Sequence, residues 1–325
     1  MNQDIPSEMA AKLAWFLESW RSIELRIRNE STNHDAGRHG SSFEWYIETA
    51  LRQRLYETRW QGVEPGQTDR KGAYSDGKRF AESSWADGQQ EILIYTKSFA
   101  NEDASAHSWR PTPLTFFYLQ HEPLTKALPK AEYLGRDKRL GRDCEVLILK
   151  NVRWSYSPVD IVYHLDRETA LPLEVRCFDA GADRATANPQ WYWVAKSFDR
   201  VQDGRYFPLR SADAVYGPAE GGGERIIQSR EIQVESIQFN KEYAESIFRP
   251  VEEPGTPVLD NVTNKEYVVP GTKKPAEAPA KTAAPAAEPI RAERPAEWTS
   301  TLSTVGLVVG AALIASGVLA WWRRR

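Results

Sequence analysis

Residues 143–180 read DCEVLILKNVRWSYSPVDIVYHLDRETALPLEVRCFDA and give the clearest view of how the chain folds. Three apolar runs, within 143–154, 159–168 and 171–180, are rich in Val, Ile and Leu, and short polar turns separate them. Runs of this length and composition predict strands. No helical segment lies between them, and a succession of strands without regular strand–helix alternation favours an antiparallel sheet.

The same pattern continues toward the start of the chain. In residues 22–30, SIELRIRNE, the side chains of Ile23, Leu25 and Ile27 alternate with charged ones, which is typical of a strand with one buried face. Comparable runs recur beyond residue 190. Counted over the whole chain, they predict about ten or eleven strands.

Hairpins and helices complete the predicted fold. Asp-Gly pairs at 76–77 and 87–88 indicate tight hairpins. Apolar residues recur at helical spacing over Pro6–Trp20, and a second, short helix is expected near Leu124–Leu128. An antiparallel sheet of this size must curl and needs a cover on one face. Residues 1–255 are therefore predicted to form a mainly β fold with α (α+β): a strongly curved antiparallel sheet or open half-barrel, with both helices in its hollow.

The end of the chain has a different composition. Residues 256–299 are predicted to be an extended Pro/Ala-rich linker with too few apolar side chains to bury a core. Residues 300–322 predict a transmembrane helix, because the 19 uncharged residues from 302 to 320 span about 28 Å, close to the thickness of a bilayer core. Residues 323–325 form a basic tail. The positions that mark this anchor are Leu302, Gly306, Gly310, Leu313, Trp321, Trp322 and Arg323.

The arginines of the tail predict the side of the membrane on which the body lies. Positive charges beside a span favour the cytoplasm, so the body of this single-pass membrane protein is expected in the periplasm or cell envelope. The first twenty residues, MNQDIPSEMAAKLAWFLESW, lack the apolar centre of an export signal. Two arrangements therefore remain: an export signal upstream of Met1, or a tail-anchored protein with a cytoplasmic body.

Composition and motifs argue against several functions. A net charge of −3 disfavours a nucleic-acid binder. The sequence contains no Gly-x-Ser-x-Gly, no His-Glu-x-x-His and no phosphate-binding glycine loop. No catalytic residue, metal site or cofactor is predicted, and the chain is not expected to be an enzyme. His34 and His39 are expected to face solvent, and Cys144 and Cys177, on non-neighbouring strands, to be unpaired and buried.

Four stretches in succession, 131–149, 163–179, 197–211 and 237–250, resemble the outer-membrane lipoprotein carrier (LolA-like) superfamily. The resemblance covers residues 6–250. It implies an open β-barrel with an apolar cavity, which relatives use to hold acyl chains or to sense lipoproteins. The predicted C-terminal anchor departs from the carriers, which are free shuttles, and argues against simple shuttling between membranes. The first residues also show no export signal, which relatives carry. The residues that match a phrase typical of the superfamily are Asp166, Thr169, Leu171, Pro172 and Leu173.

Two hypotheses of function lead, and a hydrolase whose active site follows no known motif stands third behind them. In the first, the chain is a membrane-tethered module that binds a lipid acyl chain or a lipoprotein in an apolar cavity of the sheet. In the second, it is an envelope interaction or sensor protein with a filled core that binds a protein partner at an edge strand. An open cavity would support the first hypothesis and a filled core the second. The cavity lining predicted for the first consists of Phe43, Trp45, Ile47, Ile92, Ile94, Leu147 and Leu149.

Overall fold

The computed structural model describes residues 4–49, 54–61, 68–76, 79–86, 89–96, 110–119, 122–154, 157–219 and 223–271. This part of the chain contains one α-helix, α1 (Ile5–Glu18), and seventeen strands. The strands are β1 (Ser22–Asn33), β2 (Arg38–Thr49), β3 (Arg54–Gln61), β4 (Thr68–Ser75), β5 (Arg79–Ala86), β6 (Gln89–Thr96), β7 (Tyr118–Leu119), β8 (Glu122–Pro123), β9 (Glu132–Arg139), β10 (Arg142–Trp154), β11 (Ser157–Asp166), β12 (Pro172–Asp179), β13 (Trp191–Arg200), β14 (Tyr206–Pro218), β15 (Glu224–Phe239), β16 (Pro257–Asp260) and β17 (Lys265–Val268).

Fifteen of these strands form one sheet, in the order β17-β16-β6-β5-β4-β3-β2-β1-β15-β14-β13-β12-β11-β10-β9. Neighbours run antiparallel except β6 and β16, which are parallel. The sheet is curved and open, with β9 and β17 at its edges. The predicted large antiparallel sheet is confirmed, whereas the predicted strand count is too low. Polar strands such as β4, TDRKGAYS, lack the apolar alternation by which strands were counted.

One face of the sheet, called the inner face, carries Leu25, Tyr46 and Trp193 and packs into the main hydrophobic core. Helix α1 and the described residues of segment 110–131 (110–119 and 122–131), together called the cover, lie against this face. The predicted helix is confirmed, with its end at Glu18 rather than Trp20. The cover contributes these fully buried side chains to the core: Leu13, Leu114, Phe117, Leu124 and Leu128.

The described residues of this segment, 110–119 and 122–131, contain short 3-10 turns beside the two-residue strands β7 and β8. Two of these turns, Leu124–Lys126 and Leu128–Lys130, stand where one short α-helix was predicted near Leu124–Leu128. Pro129 has no amide hydrogen and cannot donate the hydrogen bond that would continue an α-helix through it. The prediction was therefore right in place and wrong in type.

The sheet extends beyond the predicted domain boundary at residue 255. β16 pairs with β6, with Val258 beside Ile92, and β17 pairs with β16. Residues 257–268 thus form a hairpin within the sheet, and the prediction that a linker begins at residue 256 is wrong for this stretch. The prolines at 254 and 257 make the sequence look like a linker, but Pro257 occupies the first position of a strand, where proline is tolerated.

No helix in the described ranges is long and apolar enough to cross a membrane. The predicted anchor at 300–322, the basic tail and the linker beyond residue 271 lie outside the described residues.

The two cysteines are unpaired and buried, as predicted. They lie on β10 and β12, which β11 separates. Burial raises the pKa of Cys144 and that of Cys177 to about 12. Thiols with such pKa values remain protonated at neutral pH and serve as small core side chains.

Candidate functional site

The seven residues predicted to line one cavity lie on both faces of the sheet. Leu147 and Leu149 of β10 are buried in the main core on the inner face. On β2 the inner-face residue is Tyr46, so strand alternation turns its neighbours Trp45 and Ile47 to the opposite, outer face. The predicted single apolar lining is therefore not formed.

The chain's own segment 240–256 packs on the outer face. Ile47 and Phe248 are buried together in a second cluster, with Trp45 and Ile94 packed against it. Gln90 holds the far end of the segment, because its side-chain amide donates to the carbonyl oxygen of residue 251 at 2.9 Å. These outer-face positions serve internal packing.

The two remaining predicted residues have different surroundings. Ile92 is buried and lies beside Val258 of β16. Phe43 is 37% exposed, and its ring centroid lies 5.7 Å from the guanidinium carbon of Arg28. Phe43 therefore supports a surface cation–π contact.

A buried carboxylate fastens segment 240–256 to the outer face. Glu24 accepts hydrogen bonds from Trp45 Nε1 (2.9 Å), Lys241 Nζ (2.9 Å) and Tyr243 OH (2.7 Å). Burial on its own raises the pKa of a carboxyl group, but these donors outweigh it and hold the pKa of Glu24 below its ordinary value. The carboxylate stays charged and joins β1, β2 and the segment after β15.

A buried ion pair fastens the cover to the inner face. Arg110 donates from Nη2 to Glu48 Oε1 (2.7 Å) and from Nε to Glu48 Oε2 (3.0 Å), and its guanidinium carbon lies 3.4 Å from the ring centroid of Tyr118. The two charged side chains are only 6% and 7% exposed. Burial on its own lowers the pKa of Arg110. Glu48, Tyr46 and Tyr118 outweigh this effect, so the pKa of Arg110 lies above its ordinary value.

Other polar contacts continue beside this pair. Arg230 donates from Nη2 to Thr112 Oγ1 and from Nε to Asp213 Oδ2, both at 3.0 Å. On the neighbouring strands, Asn29 Nδ2 donates to Glu44 Oε1 at 2.6 Å. This part of the inner face therefore presents hydrogen-bonded polar groups rather than an apolar lining.

The residues that carry the superfamily resemblance build a turn. Asp166 Oδ1 accepts hydrogen bonds from the backbone N–H groups of Glu168 (3.1 Å) and Thr169 (2.9 Å), from the Thr169 hydroxyl (3.0 Å) and from Arg142 Nη2 (3.1 Å). Leu171 follows and is buried in the main core. These residues specify the hairpin between β11 and β12, which is a structural role.

Three histidines lie in the described part of the chain. His39 is exposed as expected, whereas His34 is half-buried in the turn after β1. His164 is buried beside Arg139, and burial lowers the pKa of His164. Within the described ranges, no three His, Cys, Asp or Glu side chains are placed to hold a metal ion.

Sequence reasoning missed the C-terminal edge of the sheet. All four residues of β17 are exposed. The exposed fractions are 39% for Tyr267, 62% for Val268 and 40% for Leu259 on β16. The run KEYVV, residues 265–269, has the β-branched and aromatic composition of a strand, and this signal could have identified the edge.

The architecture is a distant LolA-like fold, and at this sequence distance the similarity concerns the fold alone. A domain assigned to outer membrane lipoprotein sorting, from Vibrio parahaemolyticus, is 14% identical, matches over 76% of this chain and 97% of its own, and has a TM-score of 0.50. Neither a family model nor a curated relative matches the sequence.

Two further solved structures are similar at lower scores. A DUF1329 family protein from Desulfovibrio piger is 10% identical over 75% of this chain and 95% of its own, with a TM-score of 0.47. A LolA superfamily protein from Nitrosomonas europaea is 10% identical over 75% of this chain and 96% of its own, with a TM-score of 0.45.

Proposed function

We propose that this chain is a LolA-like binding module of the cell envelope, held at a membrane by residues 300–322. It binds a protein partner on its surface rather than an acyl chain in its hollow. The observation that supports this choice is the filled inner face. The following side chains of the cover have an exposed fraction of 0%: Leu13, Leu114, Phe117, Leu124 and Leu128.

Opening the hollow would expose these apolar side chains. Re-exposing four of them from segment 110–131 costs roughly 6–12 kcal/mol, at about 1.5–3 kcal/mol each. A native domain is stable by only about 5–15 kcal/mol in total. An acyl chain gains about 0.8 kcal/mol per buried methylene, so it must bury roughly 8–15 methylenes to offset this cost alone. Binding at the surface avoids the cost.

The envelope location rests on the sequence. The uncharged run from 302 to 320 and the three arginines behind it favour a membrane-tethered body outside the cytoplasm. The assignment of the Vibrio parahaemolyticus domain to outer membrane lipoprotein sorting supports the same location for this chain.

Photo-crosslinking tests the choice between protein and acyl chain. The full chain is placed in nanodiscs that contain a phospholipid with a photoreactive acyl chain, and labelled peptides are identified by mass spectrometry. We expect label within 300–322 and none in α1 or segment 110–131. The variant Glu48→Ala, which loosens the cover, is the control in which label should enter segment 110–131. Label in α1 or segment 110–131 of the unaltered chain, at the level seen in the anchor, would contradict the proposal.

A further inference from the structure

The two edges of the sheet are built differently. β9 is interrupted at Gly135, whose φ of +127° accompanies a shift in the pairing register with β10. The next four residues, 136–139, are all charged. Bulges and charges are the usual means by which an edge strand is kept from pairing with another chain. β9 is therefore protected against pairing with a strand of another chain.

β17 has backbone groups available for pairing. Val269 donates its N–H to the carbonyl oxygen of Thr256 (2.9 Å) and accepts from the N–H of Gly255 (2.9 Å), so its backbone faces the β16 side. Backbone direction alternates along a strand, so the N–H and C=O groups of Val268 and Glu266 point away from β16. Within the described residues, β16 is the one neighbour of β17.

Exposed apolar side chains lie on both faces beside this edge. Val268 lies on the inner face, as does Leu259, which pairs with Leu93. Tyr267 lies on the outer face, next to Val258 in the pairing. A strand added along β17 would place one row of side chains against Val268 and the other against Tyr267. In a strand whose apolar residues alternate with basic ones, the apolar row packs on one of these faces and the basic row lies on the other.

The surroundings of β17 are acidic. Residues 251–271 contain four carboxylates and one lysine. Asp260 is occupied, since it accepts from the N–H groups of residues 262 and 263, but Glu252 and Glu266 are exposed. Glu91, at the near end of β6, is exposed as well. A basic segment therefore complements this edge.

The chain's own linker is a poor occupant. Between residues 272 and 299 a proline recurs at intervals of at most six residues. Proline has no N–H to donate to a strand ladder. This stretch also contains one aliphatic residue larger than alanine, Ile290, so it offers few side chains to pack beside Val268.

We propose that β17 binds an extended, basic segment of a partner protein by strand addition. Backbone hydrogen bonds to Glu266 and Val268 supply affinity, and apolar residues that alternate with basic ones supply specificity. This inference rests on the proposed function, because it identifies where on the surface the protein partner binds.

The test uses the full chain in detergent micelles and three synthetic seven-residue peptides. The first alternates lysine with valine, the second has the same composition in two blocks, and the third alternates glutamate with valine. Binding is measured by fluorescence anisotropy of labelled peptide. We expect the first peptide to bind at least tenfold more tightly than the other two.

Two substitutions at one position separate backbone from side-chain effects. Val268→Pro removes the outward N–H but no hydrogen bond to β16, and we expect at least a tenfold loss of binding. Val268→Ala keeps the N–H and should stay within about threefold of the unaltered chain. Thermal unfolding verifies that both variants fold. Glu266→Lys should weaken binding of the lysine peptide and strengthen that of the glutamate peptide.

Equal binding of the alternating and block peptides, or unchanged binding by a folded Val268→Pro variant, would overturn strand addition at β17. If the linker occupies the edge, no peptide will bind, and that result would also overturn strand addition by a partner. Failure here leaves the photo-crosslinking result untouched. Acyl label in the cover would instead refute the proposed function, so the two failures are distinguishable.

Discussion

Replacing Glu48 by alanine removes the partner of a buried arginine. Arg110 would remain almost fully buried, and its Nη2 and Nε donors would lose the carboxylate that they bind. Breaking a buried ion pair by removing one partner costs about 3–5 kcal/mol. For a domain of this size, each kcal/mol lowers Tm by about 2–4 °C. We therefore expect Tm to fall by roughly 6–20 °C.

The loss of stability in Glu48→Ala should be concentrated in the cover. Hydrogen exchange followed by mass spectrometry on the full chain should show faster exchange in segment 110–131 of Glu48→Ala, with β11 and β12 unchanged. Glu231→Ala is the matched control. The Lys196–Glu231 pair is about half exposed, at 49% and 60%, and exposed pairs contribute about 0–1 kcal/mol.

A double variant tests the cause of the loss. Glu48→Leu combined with Arg110→Met replaces both charges by apolar groups, which often restores the stability lost when one charge is left alone. We expect the double variant to be at least 2 kcal/mol more stable than Glu48→Ala. The reasoning is refuted if Glu48→Ala costs less than about 1 kcal/mol, or if the double variant is no more stable than the single one.

Three further predictions concern the outer face, the turn and the topology. The pKa of Glu24 is lowered in the folded chain, so its contribution to stability is full above the unfolded pKa near 4.3 and is lost as pH falls through the folded pKa. Between pH 6 and pH 3 the urea midpoint should therefore fall more for the unaltered chain than for Glu24→Gln. Equal falls of the two midpoints would contradict this. Asp166→Ala removes the acceptor of five donor groups and should destabilise by about 3 kcal/mol in thermal unfolding, with a change below 1 kcal/mol counting against the structural role of the turn. A tag at the N-terminus should be digested in intact spheroplasts if the body lies outside the cytoplasm, and protection of the tag would indicate a tail-anchored protein.

Much of the fold was predictable because alternation along single strands is visible in the sequence. Ile23, Leu25 and Ile27 do face the core, and so do Leu147 and Leu149. The helical spacing of apolar residues also identified α1, in which Met9, Leu13 and Phe16 are buried. These features depend on local periodicity, which a single sequence shows directly.

The predicted cavity lining failed at β2 for a specific reason. Apolar residues of a strand are expected to face the core, which selects Phe43, Trp45 and Ile47. The inner face of β2 instead carries Glu44 and Glu48, which are buried because Asn29 and Arg110 bind their carboxylates. The outer face is apolar because segment 240–256 covers part of it. Both partners are distant in sequence, so no local pattern could indicate them.

The C-terminal hairpin was missed through a different effect. Its strands are four residues long, and prolines stand at 254, 257 and 270, so composition indicates a linker. The parallel pairing of β16 with β6 joins residues 258 and 92, a contact between distant parts of the chain that periodicity cannot reveal.

The mass of the body under native conditions tests the filled hollow most directly. The full chain is extracted with detergent, cut by a protease at a site introduced after residue 271, and the released body is weighed by native and denaturing mass spectrometry. The filled core predicts that both spectra give the mass of the polypeptide, with no uptake of added phospholipid or fatty acid. A mass excess that is lost on denaturation and identified as lipid would contradict this function and support the acyl-chain hypothesis.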